Sequence, residues 1–211
     1  MKVVDSSVLL ISNTKYETLL SIVERAGRIC YKSENLIKED SAENFIRSII
    51  KRGHESVLEH GVISVKIICD RGVSHELVRH RLASYSQEST RYCNYSQDKF
   101  GNEITVVLPT WLSFDSKYQY NRWYTAMENA EKSYFDLINH GAKPQEARAV
   151  LPNSLKTEVI MTANIREWRH FLKLRTAAAA HPDMRVIAKI IYNIFKSTYP
   201  VFFEDIEVEN E

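Results

Sequence analysis

Two hydrophobic periods can be separated along this chain. From Lys2 to Ser12, Val3, Val4, Val8, Leu9, Leu10 and Ile11 supply the β-branched and apolar content of a strand. Gly61 to Cys69 alternates strictly, with Ile63, Val65 and Ile67 against Val62, Ser64 and Lys66, which predicts a strand with one buried face. Glu103 to Leu108, closed by Pro109, and Thr157 to Thr162 predict two more. Helical patterns fill the intervals. Thr14 with Glu17, Asp40 with Glu43, and Asn164 with Glu167 have the spacing of a capping box. They predict helices to about Arg28, to about Lys51 with Gly53 beyond it, and to Arg175. Ser74 should open a short helix that delivers Arg79 near its end. A long helix is expected from about Asp115 to His140, stopped by Gly141, with Tyr118, Trp123, Met127, Ala130 and Tyr134 as a core or subunit-contact stripe. Pro144 suits the first turn of another helix, and Asp183 starts a last one to about Thr198. Strands and helices alternate irregularly, without a Gly/Ser-rich linker or a repeat. This order implies an α+β fold, with a mixed or antiparallel sheet and a helical layer, as a single domain over residues 1–211.

One stretch obeys neither period. Arg79 to Tyr92 holds three arginines, one histidine and three serines with almost no hydrophobic filler. Arginine suits planar, bidentate recognition of phosphate or carboxylate, and such crowding is tolerable where an anion sits among the cations. The segment from Ser84 to Arg91 is too polar for a core strand and is expected to be an ordered loop lining a pocket. The chain as a whole carries a formal net charge of only +1, which argues against a general nucleic-acid or membrane-surface binder. The positive charge is local. Residues 71 to 91 hold four Arg against two Glu, and residues 164 to 175 hold three Arg and one Lys against one Glu. One anionic pocket built from both blocks would account for the pattern.

The three cysteines, Cys30, Cys69 and Cys93, are odd in number and lack C-x-x-C spacing, so neither a disulfide framework nor a zinc ribbon is indicated. His54-Glu55-Ser56-Val57-Leu58-Glu59-His60 invites a metal test and fails it. H-E-x-x-H would need His where Leu58 stands, and H-x-x-E-H would need His where Ser56 stands. No metal is expected. The first residues do not form a signal peptide and no apolar run approaches a bilayer's thickness, so a cytoplasmic protein is expected.

Arg79-His80-Arg81, followed after seven residues by Ser89 and then Arg91-Tyr92, resembles the signature of the flavin-dependent thymidylate synthases. The His54–His60 segment, Glu146-Ala147-Arg148-Ala149-Val150-Leu151-Pro152, and the block Asn164-Ile165-Arg166, His170-Phe171-Leu172, Leu174-Arg175 are similar to the family's other motifs, in the family's order. The resemblance implies methylation of dUMP to dTMP. The carbon would come from 5,10-methylenetetrahydrofolate, and bound FAD would be reduced by NADPH, in a homotetramer with sites at subunit junctions.

It also implies roles for residues. Ser56, Arg79, His80, Arg81, Gln87, Asn164, Ile165, Arg166 and His170 would bind FAD, with His54 near the flavin. Glu76, Leu77, Val78, Arg79, Gln87, Glu88, Ser89, Thr90, Arg91, Arg148 and Arg175 would bind dUMP. Arg175 would be catalytic, favouring ionisation of the uracil N3 and so raising electron density at C5. Other members carry Glu at the position of Gln87, some carry Asn at that of His170, and some carry His where Ala179 stands. Two rival readings of the same residues are a non-catalytic nucleic-acid or nucleotide-binding module and a phosphate-handling transferase without flavin.

Overall fold

The computed structural model describes residues 1–112 and 116–208. Among the described residues, six strands and eight α-helices follow in the order β1 (Lys2–Val4), β2 (Ser7–Leu10), α1 (Tyr16–Tyr31), α2 (Ser41–Lys51), β3 (Val62–Asp70), α3 (Arg71–Leu77), β4 (Ala83–Gln87), β5 (Thr105–Val107), α4 (Lys117–Asn139), α5 (Pro144–Ala147), β6 (Lys156–Asn164), α6 (Ile165–Arg175), α7 (Pro182–Thr198) and α8 (Pro200–Phe203). A four-stranded sheet has the order β2-β3-β6-β4, and β1 pairs with β5 in parallel. The expected α+β class is the observed one.

Contacts divide the chain into two compact units that interleave in sequence. The first comprises Met1–Ser7, Ile67–Arg79 and Ser86–Val159; the second comprises Val8–Lys66, His80–Tyr85 and Ile160–Glu211. In the first, Ile104, Val106, Tyr134, Ala147 and Leu155 are fully buried in one apolar cluster, joined by Tyr95 and Met127. Met127 and Tyr134 are the buried members of the α4 stripe, while Tyr118, from the same stripe, is 76% exposed. In the second unit, Trp168 and Phe171 of α6 meet edge to face, and Trp168 meets Phe195 of α7 at 5.1 Å between ring centroids. The Trp168 indole donates to the carbonyl of Ile63 on β3 at 3.0 Å, so even the polar atom of this core ring is satisfied.

Several elements depart from expectation for definable reasons. The N-terminal strand is broken into β1 and β2. Lys15, not Thr14, occupies the N-cap of α1, without a side-chain cap. The helix preceding Arg79 starts at Arg71 rather than Ser74, because the Asp70 carboxylate accepts from the Val73 amide at 2.6 Å. Ser84 to Gln87 belongs to β4, an edge strand of the four-stranded sheet, where alternating polar residues need satisfy only one buried face. The helix α8 was not anticipated. Asp115, the expected start of the long helix, lies outside the described residues; the helix runs from Lys117. The strict alternation of β3 holds, with Ile63, Val65, Ile67 and Cys69 all fully buried.

Candidate active site

Helix α6 starts where the sequence predicts. Asn164 Oδ1 accepts the Glu167 amide at 2.8 Å, and the Ile165 amide donates to the Gly61 carbonyl at 2.9 Å. A Cβ at Gly61 would meet the end of the Ile165 side chain, which would have to shift to make room. Ile165, Trp168, Phe171 and Leu172 bury one face. Arg166, His170 and Lys173 recur at i, i+4 and i+7 and therefore share another face. All three line a cavity of about 510 Å³ in the second unit, with Asn164 and Glu167. A second cavity, of about 400 Å³, is lined by His54, Ser56, Tyr31 and again Arg166. Arg166 also pairs with Glu59 at 2.6 Å, an exposed contact that a ligand anion could replace at small cost.

Further along α6, Arg175 donates from Nε to His80 Nε2 at 3.0 Å. The other ring nitrogen of His80, Nδ1, lies 3.0 Å from Glu167 Oε1. His80 is buried, and burial first of all holds its pKa below the ordinary 6.5, assisted by the Arg175 charge and opposed by Glu167. His80, Glu167 and His170 place ligand-type atoms within 4.8 Å of one another. A divalent cation there would sit beside the Arg175 guanidinium and compete with it for His80, so the neighbouring charge opposes a metal reading.

The first unit gathers the remaining polar residues. Lys156 bridges Glu88 at 2.9 Å and Glu158 at 2.8 Å, and Tyr95 donates its hydroxyl to Glu88 at 3.1 Å. The Glu88 amide donates to the Glu158 carbonyl at 2.9 Å, so both backbone and side chain fix the turn that carries Ser89 to Arg91. Arg148 donates to Thr90 Oγ1 at 3.2 Å. Gln87 donates to Ser74 Oγ at 2.9 Å and to Thr157 Oγ1 at 3.2 Å. Leu77 is fully buried. Arg79, Arg91 and Arg148 are exposed.

A family model described as thymidylate synthase complementing protein matches residues 10–201. A flavin-dependent thymidylate synthase from Geobacter sulfurreducens is 36% identical over 190 residues, covering 87% of this chain and 80% of that protein. One from Pyrococcus furiosus is 35% identical over 186 residues, covering 86% and 75%. The chain belongs to this family, the flavin-dependent thymidylate synthases. Among solved structures, the UMP/dUMP methylase PolB from Streptomyces cacaoi, bound with 5-Br dUMP, is similar at 25% identity and a TM-score of 0.79. That similarity covers 97% of this chain and 96% of that one.

For a flavin-dependent thymidylate synthase, the two units sort the expected residues clearly. Ser56, His80, Arg81, Asn164, Ile165, Arg166, His170 and Arg175 fall in the second unit. Glu76, Leu77, Val78, Arg79, Gln87, Glu88, Ser89, Thr90, Arg91 and Arg148 fall in the first. Within each, the structure brings together Arg148 with Thr90, and Arg175 with His80. Lys156 and Tyr95, which bond Glu88, and Glu167, which bonds His80, are not among the residues the motifs single out. In the sequence Glu167 shows only the cap spacing with Asn164, and its burial is visible only in the structure. A flavin suits the donor set around the two cavities. Arg166 and Lys173 offer cations, Asn164 and Ser56 offer neutral polar groups, and Tyr31 offers an exposed ring.

Proposed function

We propose that the chain methylates dUMP at C5 to give dTMP, with 5,10-methylenetetrahydrofolate as carbon donor and NADPH as reductant of bound FAD. The observation that carries the proposal is the family match across residues 10–201, which spans all four motifs. FAD would be held by Ser56, Asn164, Ile165, Arg166 and His170, with Arg79, Arg81 and Gln87 in support, and would supply the hydride that completes the methyl group. The enzyme works as a single catalytic domain in a cytoplasmic homotetramer, with sites shared between subunits.

The chain's own residues bind and polarise. Ser89, Arg91, Arg148 and Arg79 donate to the nucleotide phosphate, and the turn fixed at Glu88 and Thr90 presents Ser89 and Arg91; the segment Glu76-Leu77-Val78 that precedes Arg79 borders the same nucleotide. Arg175 faces the uracil. Its permanent positive charge stabilises the N3 anion and so enriches C5 for attack on the one-carbon unit. No thiol is required, and two of the three cysteines agree with that: burial pushes the Cys69 thiol up to about 12, and Cys93 is also raised.

The purified protein tests the cofactor. A yellow preparation, with a flavin spectrum that shifts on adding dUMP and FAD released on denaturation, is the expected result. A colourless protein that binds no added FAD would refute the reading and favour a phosphate-handling transferase.

A further inference from the structure

The middle residue of Arg79-His80-Arg81 turns its side chain inward, against α6. Glu167, Phe171 and Arg175 are spaced four residues apart and lie along one stripe of that helix. His80 is laid along this stripe. Nδ1 meets Glu167 at 3.0 Å, the ring meets Phe171 edge to face at 4.9 Å between centroids, and Nε2 meets Arg175 Nε at 3.0 Å. The Tyr85 hydroxyl donates to the His80 carbonyl at 2.8 Å, which holds the backbone beneath the ring.

The tautomer follows from the partners. Arginine has no acceptor and does not lose its proton in proteins. The His80 Nε2 facing it therefore carries the lone pair. The single ring proton is on Nδ1, donated to the Glu167 carboxylate. An imidazolium would set an N–H against a guanidinium and break the arrangement.

We propose that His80 is a positioning residue for Arg175. Glu167 fixes the ring plane and tautomer of His80, and His80 Nε2 in turn fixes the guanidinium through Nε. The flexible arginine is thereby presented to the uracil in one orientation, as an outer partner orients a metal-bound imidazole. The inference deepens the proposed function and rests on Arg175 being the uracil ligand. It assigns the His80 side chain to the nucleotide half of the site instead of to the flavin.

The test uses flavin-loaded protein and compares His80→Asn, His80→Gln, Arg175→Ala and the His80→Asn/Arg175→Ala double variant. Gln can extend a carbonyl to the reach of Nε2. Asn reaches only the depth of Nδ1 and cannot offer Arg175 Nε the acceptor that Nε2 provides. Bound flavin per chain, circular dichroism, dUMP Kd and kcat are measured for each. All four are expected to keep flavin. His80→Asn should weaken dUMP binding roughly tenfold, the loss typical of one charge-assisted hydrogen bond, and lower kcat. His80→Gln should recover most of both, and in the Arg175→Ala background the Asn substitution should add nothing.

Flavin loss in His80→Asn with dUMP affinity intact would overturn the proposal, as would independent, additive effects of the two substitutions. Arg175→Ala with wild-type dUMP affinity would remove the underlying reading of Arg175 and the proposal with it. Failure of the relay alone would show differently, as an Arg175→Ala defect that His80→Asn does not share. Should the His80 variants not fold, ¹⁵N-histidine NMR of the unmutated protein decides at pH 7.5. The expected signature is Nδ1–H with a bare Nε2; an Nε2–H tautomer or an imidazolium contradicts the relay.

Discussion

Replacing Arg169, which also lines the cavity of about 510 Å³, should destabilise the second unit while leaving the exposed Arg166, His170 and Lys173 of α6 chemically unchanged. Arg169 is 1% exposed and makes two bonds to Asp205, Nη1 to Oδ1 at 2.6 Å and Nη2 to Oδ2 at 2.8 Å. Nη1 also donates to the Phe202 carbonyl at 2.6 Å, and Nε to Glu55 at 3.3 Å. Arg169→Met keeps the apolar stem but strips all four bonds. A wholly buried pair broken from one side costs about 3–5 kcal/mol. The Asp205 side chain is 44% exposed, so water recovers part of its charge, while the Phe202 carbonyl stays unpaired at about 1–3 kcal/mol. A net loss of about 2–4 kcal/mol is expected, and roughly 1–2 kcal/mol for Asp205→Asn, which retains one acceptor oxygen.

The same pair has a pH signature. The Arg169 hydrogen bond holds the Asp205 carboxyl below its ordinary 3.8. A group whose folded pKa is depressed contributes stability that is present above the unfolded value and lost as pH falls through the folded one. The wild type's advantage over Asp205→Asn should thus be constant from pH 7 to about 5 and shrink below about 4. Urea unfolding followed by tryptophan fluorescence across that range measures it. A cost for Arg169→Met under about 0.5 kcal/mol at pH 7, or an advantage that grows in acid, would refute the reasoning.

Three further outcomes are expected. Arg175→Ala should keep FAD and its reduction by NADPH but weaken dUMP binding by about 1.5–3 kcal/mol, with Arg175→Lys recovering only part, since an ammonium lacks the planar fork; dUMP titration into oxidised holoprotein reads this, and loss of FAD with normal dUMP binding would count against it. Simultaneous Cys30→Ala, Cys69→Ala and Cys93→Ala should leave turnover of the same order in a folded protein, whereas abolished turnover with flavin still bound would require a thiol nucleophile. Mixing inactive Arg148→Ala and Arg79→Ala chains should restore activity if subunits share sites, and proven subunit exchange without recovery would argue for sites built from one chain.

Much of the architecture was legible where a local rule acts alone. The alternation of β3 and the Asn164–Glu167 cap of α6 depend only on near neighbours, and both hold. Thr14 failed as a cap because spacing alone does not fix the backbone angles that place a side chain over the first amides. The polar run after Ser84 resembled a loop because the pattern does not reveal that β4 lies at a sheet edge. The motifs single out candidate site residues but not their partners. Lys156 meets Glu88 from 68 residues away, and Arg175 meets His80 from 95, separations over which no periodicity carries information. The expectation of one anion-binding pocket built from two basic blocks is a reading of the sequence alone, whereas the Glu167–His80–Arg175 arrangement required the structure.

The most direct test of the account is anaerobic single turnover. Protein loaded with FAD and reduced by NADPH is mixed with dUMP and methylenetetrahydrofolate, then quenched and resolved by mass spectrometry while flavin absorbance is followed. The account predicts dTMP formed in step with flavin oxidation, one per active site, and no dTMP when either flavin or the folate is withheld. Bound dUMP that is never methylated, or dTMP formed at full yield without flavin, would contradict it.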